Sequence, residues 1–242
     1  MIKKLSKKAS LLSALVLTMA LFAGCSNEKE NQKVADIEVK TIATKELQDK
    51  LSDDSWVVVD TRINDAFNGW KLDEVERGGH IKGAVDFSAN WLTVDSKDKE
   101  KTLDKALETK GIEKDKNIVL YDANGKDAKE VANYLSEKGY KNLYTYNVAD
   151  WAKDESLPME SYENYEMIVP ATIVNDILDG KKPETFENSK NIKIVEASWG
   201  EESEAYSKGH VPTSVHINTD TVEPPPQWML ASDEELAKFA ND

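Results

Sequence analysis

Short continuous apolar runs alternate with helix-period segments along most of this chain. Trp56-Val57-Val58-Val59 and Ile118-Val119-Leu120-Tyr121 offer no polar position to turn toward solvent, which fits parallel strands buried on both faces. Between them Leu103, Ala106 and Leu107 share a helical face that ends at Gly111, and after the second run Ala128, Val131, Ala132 and Leu135 share another, stopped by Gly139. Ile37 to Ile42 alternates as a strand does, and Thr44 stands where a cap would open a helix carrying Leu47 and Leu51. Val85 with Phe87, and Leu143 to Tyr146, read as further strands. The β-α-β-α order predicts an α/β layer structure with a mostly parallel sheet flanked by helices.

The pattern then begins again. Gly79-His80-Ile81-Lys82-Gly83-Ala84-Val85-Asp86-Phe87 matches Gly209-His210-Val211-Pro212-Thr213-Ser214-Val215-His216-Ile217 at an offset of 130. Each copy is expected to follow a buried strand ending in an acid, Val57 to Asp60 in the first and Ile192 to Glu196 in the second. Each is followed by a helix, the second opening with Ser232 and Glu235 in capping-box spacing. Two copies of one unit are therefore expected, residues 37–157 and 168–242, joined near Ser156 to Ile168. The second reads as incomplete, because only 32 residues follow His210. Truncation of a longer protein is the preferred explanation, and decay of the second half is the other.

The N-terminus changes the picture of where this body works. Lys3, Lys4, Lys7 and Lys8 precede an apolar stretch from Leu11 to Ala23, and small residues lead into Cys25. That stretch is shorter than the roughly 20 residues a spanning helix needs. Residues 1–24 read as a secretion signal, and Ser26 to Asp36 as a polar tether. Leu21-Phe22-Ala23-Gly24-Cys25 resembles the lipobox of bacterial lipoproteins, which implies cleavage before Cys25 and acylation of it. The expected address is the extracytoplasmic face of a cell membrane, with the lipid bilayer as partner through Cys25. Losing residues 1–24, with four lysines and no acids, takes the net charge from −14 to −18, which argues against nucleic acid as a partner. Cys25 is the only cysteine, so the folded body has no disulfide and must rely on packing. Arg62 and Arg77 are the only arginines, which marks both for geometry that lysine does not supply.

Asp60-Thr61-Arg62 after a hydrophobic strand, then Gly-His-Ile-Lys-Gly-Ala, then a strand and a loop opening a helix, resemble the rhodanese domain. The duplication is similar to tandem-domain thiosulfate sulfurtransferases. The resemblance implies a thiolate that attacks the outer sulfur of thiosulfate, holds it as a persulfide and passes it to an acceptor such as cyanide or another thiol. It also implies a Cys-x-x-Gly-x-Arg-like loop after the central strand, whose N–H groups at a helix N-terminus favour the anion and lower the thiol pKa from about 8.5. This chain has Asp122-Ala123-Asn124-Gly125-Lys126-Asp127 there, with Asp122 for the cysteine and Asp127 for the arginine. Asp122 either fills the loop's anion nest itself or is a solvated loop acid. Asp60, Arg62, His80 and His210 take structural roles in this reading. The six-residue spacing of His210 and His216 does not by itself make a metal site, and no cofactor is called for.

Two classes of function follow. One is a membrane-anchored member of the sulfurtransferase family whose nucleophile is absent from this chain. The other is a non-catalytic rhodanese-like lipoprotein that binds or docks a small sulfur-containing anion or a protein acceptor.

Overall fold

The computed structural model describes residues 38–200 and 204–241; the signal, Cys25 and the tether lie outside the described residues. In chain order the elements are β1 (Lys40–Thr41), α1 (Thr44–Lys50), β2 (Trp56–Asp60), α2 (Asn64–Asn68), β3 (His80–Ile81), β4 (Val85–Asp86), α3 (Lys99–Thr109), β5 (Asn117–Asp122), α4 (Asp127–Glu137), β6 (Leu143–Asn147), α5 (Val148–Ala152) and β7 (Met159–Glu160). There follow α6 (Ala171–Leu178), β8 (Val195–Ser198), α7 (Glu204–Lys208), β9 (Val215–Asn218), α8 (Thr219–Val222) and α9 (Asp233–Asn241).

The main sheet is parallel, in the order β1-β6-β5-β2-β4. β5 lies at its centre, and the period of two along it feeds two cores at once. Ile118 and Leu120 join Leu103, Leu107, Val131 and Leu135 beneath α3 and α4. Val119 and Tyr121 join Leu47, Val75, Tyr146 and Trp151 on the opposite face. Burial of all four on both sides is why the strand reads as a continuous apolar run. The chain goes outward from β2 to β4 and then returns across β2 to β5. The loops after β2 and β5 thus leave the sheet's carboxyl edge in opposite senses, the position where open parallel sheets hold ligands.

Several boundaries differ from the sequence expectation. Thr44 is the first residue inside α1 and does not cap it; its hydroxyl bonds the Tyr146 hydroxyl at 2.9 Å, so tertiary contact takes the group a cap would have used. The strand expected over Ile192 to Glu196 begins at Val195 and runs past Glu196 to Ser198, because its register is set by pairing with β9. It is also not buried: Val195 and Val215 are 48% and 59% exposed, since two strands alone give no layer to cover them. The stretch between Ser156 and Ile168 is packed against the first sheet's body. Leu157 is buried, β7 pairs antiparallel with β3, and the Trp70 indole donates to the Ile168 carbonyl at 3.0 Å. The capping box before α9 forms: Ser232 N–H donates to Glu235 Oε2 at 2.9 Å and Glu235 N–H to Ser232 Oγ at 3.4 Å.

Arg77 secures the end of the first body. Its guanidinium donates to the carbonyls of Trp151, Ala152, Asp154 and Leu157 at 2.8–2.9 Å, closing the last turn of α5 and the loop after it. A planar fork is required for four acceptors, and an ammonium on a flexible stem reaches fewer. Arg77→Lys is expected to lower unfolding free energy by about 1–3 kcal/mol, read from the urea midpoint; an unchanged midpoint would remove this role.

Candidate functional site

The carboxyl ends of β2 and β5 carry the residues singled out by sequence. Asp60 ends β2 fully buried, and Arg62, also buried, folds back onto it: Nε donates to Asp60 Oδ1 at 3.0 Å and Nη2 to Oδ2 at 2.6 Å. Nη2 also donates to the Gly79 carbonyl at 2.7 Å, and the guanidinium carbon stands 5.6 Å from the centre of the Tyr121 ring. Nη1 has no hydrogen-bond partner among the described residues. The pair thus ties β2 to the Gly-His turn and faces the central strand.

The Gly-His turn has a steric origin. Gly79 adopts φ +85°, and a Cβ there would lie 2.3 Å from the Glu160 carbonyl oxygen, so β7 can approach only a glycine. His80 donates through Nδ1 to the Phe67 carbonyl at 2.8 Å, since a carbonyl only accepts, and its ring stacks on Phe67 at 3.9 Å. Its Nε2 faces Glu160 Oε1 at 3.6 Å, and that same oxygen accepts from Gly83 N–H at 2.9 Å. His210 repeats part of this arrangement, bonding through Nδ1 to the Tyr206 carbonyl at 2.9 Å and stacking on Tyr206 at 3.9 Å, but it is exposed. Glu160 and Tyr121 were not identified from sequence. Tyr121 Oη accepts from Ile81 N–H at 3.2 Å, and burial raises its pKa. The lone tyrosine closing an apolar run was the available sign.

The loop from Asp122 to Asp127 joins β5 to α4. Asp122 is 1% exposed. Its Oδ1 accepts from Gly125 N–H at 2.7 Å and its Oδ2 from Ala128 N–H, in the first turn of α4, at 2.9 Å. The carboxylate thereby occupies the amides that a helix N-terminus presents to an anion. Asn124 Oδ1 accepts from Lys126 N–H at 2.9 Å, and Gly125 takes φ +74° to close the turn. Asp127 has its pKa raised, first by burial and then by the charges of Asp122 and Asp73. Beside the loop lies an open cleft of about 480 Å³, bordered by Asn124, Lys129, Asn133, Tyr146 and Asn147. Among the described residues no group of three or more His, Cys, Asp or Glu side chains could hold a metal ion.

Residues 43–151 match the family model of the rhodanese-like domain. The fold is rhodanese-like. A curated relative, the thiosulfate sulfurtransferase YnjE of Escherichia coli (strain K12), is 26% identical over 230 residues, covering 95% of this chain and 48% of YnjE. The crystal structure of the anaerobic ergothioneine biosynthesis enzyme from Chlorobium limicola, with its natural substrate trimethyl histidine, superposes with a TM-score of 0.71 at 30% identity. It covers 82% of this chain and 45% of that enzyme. A structure of EanB with ergothioneine covalently linked with a persulfide cysteine gives the same TM-score, identity and coverage. The chain spans about half the length of these relatives.

Two outcomes check the geometry of the rhodanese-like body. Arg62→Met alone strands a buried carboxylate and should cost about 3–5 kcal/mol, whereas pairing it with Asp60→Leu should recover much of the loss; equal losses in the two variants would contradict the ion-pair reading. The raised Asp127 pKa means the folded state binds that proton more readily than the unfolded state, so this residue's contribution to stability falls as pH rises through the shifted range. Asp127→Asn should then raise the urea midpoint at pH 7, with the gap closing in acid; a gap that widens in acid would reverse the assignment.

Proposed function

We propose that this chain is a lipid-anchored, rhodanese-fold scaffold of the thiosulfate sulfurtransferase type in which Asp122 takes the nucleophile's place. In that reading the sulfur-carrying thiol comes from a polypeptide region other than residues 38–241. The observation that carries it is the pair of hydrogen bonds from Gly125 and Ala128 into the Asp122 carboxylate. A thiolate at this point would draw on the same amides for its stabilisation. A carboxylate accepts them equally well but has no sulfur with which to form a persulfide. Asp127 adds a second acid where an anionic sulfur donor would need a positive charge. The anchor is Cys25, whose sulfur carries lipid in this account and so takes no part in sulfur transfer.

Residues beyond the first body form part of a second unit of the same type. This is supported by the pairing of β8 with β9, parallel like β2 with β4, with Glu196 opposite His216 as Asp60 is opposite Asp86. The shared histidine-on-aromatic stack supports it as well.

A second reading, a non-catalytic binding module, draws on the cleft beside the loop, where Lys129 and the amides of Asn124 and Asn133 offer donors to a small sulfur oxyanion. Purified chain should give no thiosulfate:cyanide transfer above background, and Asp122→Ala should lower stability by about 1–3 kcal/mol. Turnover by the unaltered chain would overturn the proposal. Thiosulfate-induced NMR shifts at Asn124 and Asn133, without turnover, would favour the binding module.

A further inference from the structure

We propose that the open edge of β8, with the apolar surface beside it, is a docking site for a polypeptide strand that pairs parallel to β8 and leads into an amphipathic helix. The inference deepens the reading of β8 to α9 as part of a second rhodanese-like unit, and rests on it. The backbone gives the direction. In a parallel ladder every second residue turns its N–H and C=O to the same neighbour. Val215 N–H donates to the Ile194 carbonyl at 3.0 Å, so Ile194 and Glu196 face β9. Val195 and Ala197 then face the other side, where the described residues provide no strand. In the first body that side is filled. Thr61, one residue beyond Asp60 as Ala197 is beyond Glu196, donates its N–H to the Tyr121 carbonyl of β5 at 3.0 Å.

Three further surfaces point to the same occupant. Val59 and Val85 stand opposite each other in the first ladder and belong to one core, whereas Val195 and Val215, opposite each other in the second, are exposed. Between β4 and α3, Trp91 and Leu92 pack against that core; between β9 and α9, Trp228, Met229 and Leu230 are 52%, 71% and 65% exposed. Leu103, Ala106 and Leu107 form the inward stripe of α3, and α9 carries Leu236, Phe239 and Ala240 at the same spacing with none of them buried. In the first body β5 and α4 complete this core, through Ile118, Leu120, Val131 and Leu135. One segment of that kind accounts for all the uncovered surfaces: a strand apolar on both faces, then a helix with an apolar stripe.

Charge disfavours the other occupants. An anionic lipid surface would meet Glu223, Asp233, Glu234 and Glu235, all exposed on either side of Trp228 to Leu230. A second copy would bring its own net charge of −14 against the same charge here. A separate strand and helix carry neither penalty, and the backbone pairing they gain is the one β2 already makes with β5.

The full chain is to be titrated with a synthetic peptide of residues 112–140, which carries β5, its loop and α4 and has no tryptophan. The expected results are saturable binding, a blue shift of tryptophan emission and slowed amide exchange at Val195 and Ala197. Ala197→Pro removes the outward N–H and spares the β9 ladder, and Val195→Lys puts a charge on the edge; each should weaken binding by about tenfold or more. Far-ultraviolet circular dichroism establishes that both variants remain folded. No binding by the folded unaltered chain, or equal binding by both variants, overturns the proposal. So does protection of the same amides by dimerisation of the chain alone, or by phosphatidylglycerol vesicles. The assay reads no sulfur transfer: absent binding removes the docking surface and leaves the role of Asp122 standing, whereas turnover by the unaltered chain removes that role and leaves the surface standing.

Discussion

The first body hangs on one buried guanidinium. Arg62 holds both oxygens of Asp60, the carbonyl of Gly79 and the face of Tyr121 at once, which joins the end of β2, the turn before β3 and the central strand. Burying such a pair brings no guaranteed stability, because desolvation opposes the attraction. What it fixes is position. With Asp60 and Arg62 locked together, the carbonyl of Gly79 can point in one direction only. That direction sets where His80 meets Phe67 and where β7 lies against β3.

The same rigidity determines what the neighbouring loop can do. Thr61 donates through its N–H and its hydroxyl to the Tyr121 carbonyl, at 3.0 and 2.9 Å, so the strand leading into Asp122 is pinned from the β2 side. Asp122 therefore meets the amides of Gly125 and Ala128 in a fixed frame, and its carboxylate satisfies donors that would otherwise seek an anion from solution. A loop closed on its own carboxylate is a stable support and a poor receptor. This physical fact underlies the proposal of a scaffold rather than a turnover site in the first body.

The central elements were legible because burial on two faces leaves a residue-level trace. Ile118 to Tyr121, Val131 and Leu135 declare β5 and α4 without help from tertiary structure. β7 left no such trace, being two residues long with Glu160 exposed. Its only sign was indirect, in the need for glycine at position 79 where its carbonyl passes. Thr44 misled because a hydroxyl has more than one use, and Tyr146 took it. The strand expected from Ile192 starts three residues later because Ile192 and Ile194 read as the start of a run, while the ladder with β9 begins only at Val195. The role of Asp122 depended on two backbone N–H groups, three and six positions further along, and no side-chain pattern reports where those point.

The two parallel strand pairs close their carboxyl edges with different groups. In β2 and β4 the ladder places Asp60 opposite Asp86. Arg62 neutralises the first, and Lys110 pairs with the second at 2.5 Å. Both of these acids have a cationic partner, and the arginine is sealed from solvent. In β8 and β9 the ladder places Glu196 opposite His216, and position 198 carries a serine where Arg62 stands two residues beyond the acid of β2. The Ser198 hydroxyl donates to Glu196 Oε1 at 3.4 Å and lies 2.9 Å from His216 Nε2. The edge of β8 and β9 closes through a hydroxyl shared by an acid and an imidazole, whereas that of β2 and β4 closes through a buried ion pair.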